Sequence, residues 1–302
     1  MKNPIALSLL SLGLLVSCAV RHPGLPSNYP YFMKEGHRGT RGLMPENTIP
    51  AMKKGLEMGA RFIEVDVYTS KDGQVIITHD NAVNADHTLD PQGKEMTKAE
   101  ASKFIFHQMN YEDIRKFDVG SMVYKPYPRQ QKMKVSIPTL SDLIDSVEAF
   151  TKQSSMHRAI YNIELKNDPA FDGKFNATPS ELIEATMKVV NSKKIGNRFY
   201  IQSFDFRPLQ YVRKNYPKVT VGFLTSDAKT SFEDNIEKLG FVPDIYSPTF
   251  SLVTPELVSK VHAKKSKLVP WTVNTKEDMQ RMILLDVDGI ITDYPDILSE
   301  LK

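Results

Sequence analysis

Two histidines, three carboxylates, an arginine and a lysine stand at the ends of short apolar runs, where a fold gains nothing from them unless they meet. Glu64 and Asp66, in Phe62-Ile63-Glu64-Val65-Asp66-Val67, are two apart and so share one face of a strand. Glu164 repeats the pattern late in Tyr161-Asn162-Ile163-Glu164-Leu165-Lys166. Carboxylates facing an apolar interior are costly without a cation or partner. An all-oxygen set from neighbouring strands suits one hard divalent ion, Mg²⁺ or Ca²⁺, with positions left open for water and substrate. Zinc fits less well, because the chain has one cysteine and its histidines are needed elsewhere. His37, in Gly36-His37-Arg38-Gly39, and His79, in Val75-Ile76-Ile77-Thr78-His79-Asp80, supply groups that titrate near neutrality. One would accept a proton from a nucleophile and the other donate to a leaving alcohol, in an order the sequence leaves open. Arg38 and Lys166 add positive charge suited to phosphate oxygens. The alternative is that Arg38, Lys166 or Arg61 neutralises the carboxylates without a metal. Asn47 is expected to cap the first helix rather than to bind anything.

Positioning these groups needs strands that end at one place. Short β-branched runs at 33–37, 61–67, 160–165, 199–203, 219–224, 244–247, 267–272 and 289–292 alternate with amphipathic stretches. The stretches at 48–58, 139–151, 180–192, 206–215, 230–238, 254–264, 276–285 and 296–301 read as helices. Eight strands, most followed by a helix, predict a (β/α)8 TIM barrel, with an open doubly wound sheet as the alternative. The run 74–79 follows 61–69 through Asp72-Gly73, a hairpin signal that sets Glu64 nearly opposite His79. Residues 81–136 break the pattern and read as an inserted cap with helices at 97–107 and 111–117, the first opened by a capping box at Thr97. Its Phe104, Phe106, Tyr111, Tyr124 and Tyr127 are expected mainly to pack the cap's own core. Its Lys125, Arg129, Lys132 and Lys134 are expected to form a solvated loop.

The 302 residues, 41% hydrophobic and 25% charged, fit one large α/β domain or two ordinary ones. A net charge of +3, from 39 basic and 36 acidic residues, argues against nucleic-acid binding through phosphate contacts and leaves a small anionic substrate open. Lys2 precedes an apolar run too short for a comfortable membrane span, and the run ends in Leu15-Val16-Ser17-Cys18. That sequence resembles a lipoprotein lipobox. It predicts a signal peptide at 1–17, lipidation of Cys18, a spacer at 18–31 and a soluble domain at 32–302 held at the bacterial cell envelope, on its periplasmic or surface face.

Taken together, Gly36-His37-Arg38-Gly39, Pro45-Glu46-Asn47-Thr48, Glu64-Val65-Asp66, Asp72-Gly73, His79-Asp80, Glu164-Leu165-Lys166, Gln202-Ser203-Phe204, Pro270-Trp271-Thr272-Val273-Asn274 and Val287-Asp288-Gly289 through Thr292-Asp293-Tyr294-Pro295 resemble the glycerophosphodiester phosphodiesterase family in order and spacing. The resemblance covers nearly all of 33–302. It implies a TIM-barrel enzyme that cleaves glycerophosphodiesters to sn-glycerol 3-phosphate and an alcohol. It implies His37 and His79 as the catalytic pair, Glu64, Asp66 and Glu164 as metal ligands, Arg38 and Lys166 on the phosphate, and Trp271 lining the pocket. Asp286 stands where the family usually has glycine, with only a local effect expected, and no Arg-Thr-Thr stretch follows His79-Asp80. Two rivals remain at this stage. One is a phospholipase D- or C-like relative that releases a cyclic phosphate, and the other an inactive lipid-anchored binding protein.

Overall fold

The structure, a computed structural model, describes residues 25–301. The expected signal peptide, Cys18 and the first part of the spacer lie outside the described residues. Eight parallel strands form the predicted barrel: β1 (Met33–Gly36), β2 (Phe62–Thr69), β4 (Ile160–Leu165), β5 (Phe199–Ser203), β6 (Val221–Thr225), β7 (Ile245–Pro248), β8 (Lys267–Leu268) and β9 (Gly289–Thr292). Their order around the sheet is β8-β7-β6-β5-β4-β2-β1-β9. Backbone bonds from Asp288 to Leu268 and from Ile291 to Pro270 draw β8 towards β9 and nearly close the ring. The strand expected over 267–272 is therefore shorter, and its second half continues as irregular backbone bonded to both neighbours. Pro270, which has no N–H to offer a ladder, lies where regular pairing stops.

The remaining short strand, β3 (Val75–Ile77), is the predicted hairpin arm, antiparallel to β2. Gly73, at φ 75°, makes the reversal that a side chain would resist. The register agrees with the expectation. Val67 pairs with Ile77, and the Thr78 amide donates to the Asp66 carbonyl at 3.0 Å, which, continued by two residues, sets Glu64 opposite Asp80 and so nearly opposite His79.

Alternation along each strand sorts its residues between two environments. Val65, Ile163, Ile201, Phe223 and Ile290 join the layer between barrel and helices, while Phe62, Ile160, Tyr200, Ile245 and Ile291 fill the barrel floor. Each such buried side chain contributes about 1.5–3 kcal/mol. The covering helices are α1 (Ile49–Glu57), α4 (Leu140–Gln153), α5 (Pro179–Ser192), α6 (Phe206–Asn215), α7 (Phe232–Leu239), α8 (Pro255–Ala263), α9 (Lys276–Leu284) and α10 (Pro295–Glu300). Thr48, Thr139, Thr178, Asp205, Ser231, Thr254 and Thr275 cap seven of them through side-chain oxygens, as helix N-termini require. Asp286 lies just past α9 at φ 61°, a left-handed conformation that glycine adopts without strain, and it is exposed at the end of the barrel away from the acidic residues.

Two expectations about flanking segments change. Within the proposed spacer, Tyr29 is buried, packs edge-on against Phe62 at 5.2 Å and donates to the Phe199 carbonyl at 2.8 Å. Residues from Leu25 onward thus plug the barrel floor rather than serving as tether. In the cap, the expected long helices are short turns, α2 (Lys98–Ala101) and α3 (Tyr111–Ile114), although the Thr97 capping box is present. Phe104, Phe106 and Tyr111 pack into the cap's own core with Ile76, Ile114 and Phe117. Tyr124 and Tyr127 do not. Tyr124 packs against His87, and Arg41 lies 4.6 Å over the Tyr127 ring.

Between floor and site lies Glu35, wholly buried, with the Tyr200 hydroxyl donating to it at 2.8 Å and Asn162 at 3.0 Å. Burial pushes its carboxyl up to about 8, against the pull of these two donors. The folded protein therefore holds a proton that the unfolded chain releases above its ordinary 4.5. Stability contributed by this group is lost as pH rises from 4.5 towards 8. Glu35→Gln, neutral at every pH, is expected to melt ~5 °C above wild type at alkaline pH and close to it at pH 5. Melting curves of the two proteins across pH measure this, and a gap independent of pH would overturn the assignment.

Candidate active site

The first loop is built by close approach. A side chain at Gly36 would meet the Gly39 carbonyl at 1.9 Å, and Gly39 itself sits at φ 86° against the backbone of Ala51. Between them Arg38 adopts φ 49°, which turns its amide to donate to Glu64 Oε2 at 2.7 Å. A bulky residue held left-handed at about 1–2 kcal/mol persists only where its surroundings fix it. Here the fixing contacts are Glu64 and Asn47, whose amide donates to the Arg38 carbonyl at 3.1 Å.

Adjacent strands bring Glu64, Asp66 and Glu164 together. One oxygen from each lies within 4.8 Å of the others, and all three residues are buried. Arg38 and Lys166 adjoin them but are already engaged. Arg38 is 2.7 Å from Glu46 and 3.4 Å from Asp66, while Lys166 is 2.7 Å from Glu164 and 3.5 Å from Asp66. Glu64 Oε1 and Asp66 Oδ1 are buried without a hydrogen-bond partner. Burial and the charges of Asp66 and Glu164 hold the Glu64 carboxyl well above the usual carboxylate range. Burial also lifts Glu164, in spite of Lys166. For Asp66 the burial penalty is outweighed by Lys166 and Arg38, so its carboxyl stays below that range. Orphaned oxygens beside mutually repelling carboxylates fit a hard divalent cation. Glu46, Glu64, Asp66, Glu164 and Asp293 face three cations, Arg38, Arg41 and Lys166, so the carboxylates outnumber the cations by two.

Asn47 is not the helix cap expected of it. Thr48 caps α1, and Asn47, at φ 57°, donates from Nδ2 to Asp66 Oδ2 at 2.8 Å and accepts from the Asp66 amide at 3.3 Å. It orients a candidate metal ligand, as outer-shell amides commonly do.

His37 adjoins the cluster with Nδ1 2.7 Å from Asp293 Oδ1. Asp293 is held in turn by Arg41 at 3.0 Å and Asn274 at 2.7 Å. Burial pulls the imidazole down to about 4, against the opposing pull of Asp293. The ring is therefore neutral near pH 7, and an acceptor at Nδ1 leaves the Nε2 lone pair to take a proton. His79 is the more open of the two, its side chain 35% exposed against 11% for His37, and its Nδ1 lies 2.9 Å from Asp80. It lines a cavity of about 300 Å³ together with Glu164, Lys166, Tyr68, Phe171 and Phe204. Trp271 stands at that rim, packed edge-on to Phe204 at 5.2 Å, with its indole N–H donating to the Ser247 carbonyl.

Asp293, Arg41, Asn274 and Glu46 had no role in the sequence reading. Asp293 carried the same signal that marks Glu64, a carboxylate closing an apolar strand (Gly289-Ile290-Ile291-Thr292-Asp293), whereas the loop residues carried none. The cap reaches this loop, with Gln130 donating to the carbonyls of Arg41 and Met44 at 2.9 Å. In the cap's basic stretch, Arg129 pairs with Asp296, while Lys125, Lys132 and Lys134 are solvent-exposed as expected.

A profile of the glycerophosphoryl diester phosphodiesterase family matches residues 37–297. A glycerophosphodiester phosphodiesterase of Caldanaerobacter subterraneus subsp. tengcongensis is 31% identical over 268 residues, 88% of this chain and 95% of its own. The Bacillus subtilis enzyme of that name is 30% identical over 315 aligned positions, covering 100% of this chain and 98% of its own. Among solved structures, a putative glycerophosphoryl diester phosphodiesterase from Silicibacter pomeroyi matches with a TM-score of 0.79 at 31% identity, over 89% of this chain and 92% of that one. An Oleispira antarctica phosphodiesterase, solved with the product sn-glycerol-3-phosphate, shares the fold at a TM-score of 0.70 and 21% identity, over 89% and 95% of the two chains. Similarity of this extent, on a barrel whose strand ends gather the residues just described, makes the chain a member of the glycerophosphoryl diester phosphodiesterase family of enzymes.

Proposed function

We propose that the chain hydrolyses glycerophosphodiesters to sn-glycerol 3-phosphate and an alcohol with one divalent cation, Ca²⁺ or Mg²⁺, held by Glu64, Asp66 and Glu164. The observation that carries this reading is the pair of orphaned carboxylate oxygens beside a histidine whose Nδ1 is already taken by Asp293. A cation there supplies neutralisation of the phosphate oxygens and orientation for in-line attack. Arg38 and Lys166, which already pair with the acidic cluster, add positive charge on the phosphate side. His37 takes the proton of the attacking hydroxyl at Nε2, either of water directly or of the glycerol 2-hydroxyl, in which case water then opens the cyclic phosphate to the monoester, while Asp293 holds the ring and stabilises the imidazolium that forms. His79 donates to the departing alcohol, and its exposure lets it recover a proton from solvent between turnovers. The product bound in the Oleispira antarctica structure supports glycerol 3-phosphate as the phosphate-bearing product. Tethering through a lipidated Cys18 at the bacterial cell envelope rests on the lipobox and is part of the same proposal.

Phosphorus NMR of the reaction with glycerophosphocholine tests the reading. The expected spectrum gains the glycerol 3-phosphate monoester and stays unchanged in the presence of a chelator. A cyclic phosphate as the final product would favour the phospholipase-like rival, and no turnover under any cation would favour a binding protein.

A further inference from the structure

In a parallel barrel each helix ends, and each helix-to-strand loop lies, at the strands' N-terminal end, opposite the active site. In this chain those loops span 58–61, 154–159, 193–198, 216–220, 240–244, 264–266 and 285–288. They carry eight Lys or Arg and three Asp, although the whole chain is only +3. Two of the three acids are occupied, Asp244 by Arg213 and Asp288 by His262 and Lys267. Lys194, Lys218, Lys264 and Lys265 are exposed and have no ion-pair partner among the described residues. Tyr31, 60% exposed, and Leu284, 85% exposed, are apolar groups at the same end. The described chain also begins here, with Pro26 lining a largely apolar groove of about 400 Å³ beside Phe199, Tyr216 and Lys218.

We propose that this N-terminal face of the barrel docks on an anionic lipid headgroup surface, with the four free lysines as the electrostatic contact and Tyr31 and Leu284 as the apolar one. Charge complementarity is the first argument, since each lysine close to an anionic bilayer adds attraction that adds up across a cluster. Reach is the second, and it rests on the Cys18 reading. Six residues separate Cys18 from Leu25, seven Cα-to-Cα steps, so a lipid on Cys18 would lie within about 25 Å of this face even with the segment fully extended. No described helix is long and apolar enough to cross a membrane, so contact would be peripheral. Docked this way, the catalytic mouth opens on the side away from the bilayer. It would then draw soluble diesters from the aqueous phase rather than intact lipids from the membrane that holds it.

Sedimentation with vesicles tests the face independently of the anchor. The probe is the chain from residue 19 onward, without the expected signal peptide and Cys18, mixed with vesicles of phosphatidylcholine alone or with about one third phosphatidylglycerol. Binding is expected to be at least tenfold stronger to the anionic vesicles and to fall steeply with salt, as screening requires. Changing Lys194, Lys218, Lys264 and Lys265 to Glu is expected to abolish that preference while leaving hydrolysis of soluble glycerophosphocholine intact. The matching change of Lys125, Lys132 and Lys134 to Glu, on the cap, is expected to retain the preference. Equal binding to both vesicle types by the parent protein, or equal loss in both variants, would overturn the proposal. Neither result would bear on hydrolysis or on lipidation of Cys18.

Discussion

His37→Ala is expected to lower kcat on glycerophosphocholine by about 10²–10⁴-fold, the ordinary contribution of a positioned general base or acid. The size of the effect follows from how completely this ring is committed. It is nearly buried, its Nδ1 is fixed at 2.7 Å by Asp293, and burial keeps it unprotonated down to about pH 4. The acid limb of kcat/KM is therefore expected near pH 4, well below where a free imidazole would place it. His79→Ala is expected to lose a similar factor on alkyl diesters but much less on a p-nitrophenyl diester, whose leaving group departs without a proton. His37→Ala is expected to lose activity equally on both substrates. Reversal of that pattern would exchange the two roles, and near wild-type rates in both variants would remove the pair from the mechanism.

Glu64→Gln is expected to abolish activity and yet to raise the melting temperature of the metal-free protein. Glu64 is wholly buried beside Asp66 and Glu164, one of its oxygens has no partner, and its carboxyl is already driven towards the protonated form. An uncharged amide relieves that repulsion, as buried functional carboxylates often allow. In wild type, millimolar Mg²⁺ or Ca²⁺ is expected to raise the melting temperature, because only the folded state assembles the site, and a chelator to reverse the gain. The variant is expected to show no cation-dependent shift. A cation-dependent shift of wild-type size in Glu64→Gln would exclude Glu64 as a ligand.

Much of the barrel was legible because alternation of short β-branched runs with helices is a strong local signal, repeated eight times. Glu64, Asp66 and Glu164 were legible for a related reason, since a carboxylate closing an apolar strand violates the pattern around it. What escaped the sequence was geometry set by neighbours. Asn47 looked like a cap because Asn is a common capping residue, but Thr48 takes that place and the left-handed turn sends Asn47 to Asp66. The cap's helices were overestimated because their short apolar runs pack against β3 and against one another rather than along a helix face.

The histidine proposed as base hangs from the first barrel strand, and the carboxylate that holds it closes the last, 256 positions later. Between them the chain must lay down every other strand before the ring can join at β1 and β9. The enzyme is thus expected to be assembled last at the point where its chemistry begins, and a nascent chain lacking β9 would carry the cation ligands without an oriented base. Recovery of turnover during refolding should accordingly trail the burial of the β2 and β4 residues. Hydrolysis then serves as a clock for ring closure, ticking only once the first and last barrel strands have met.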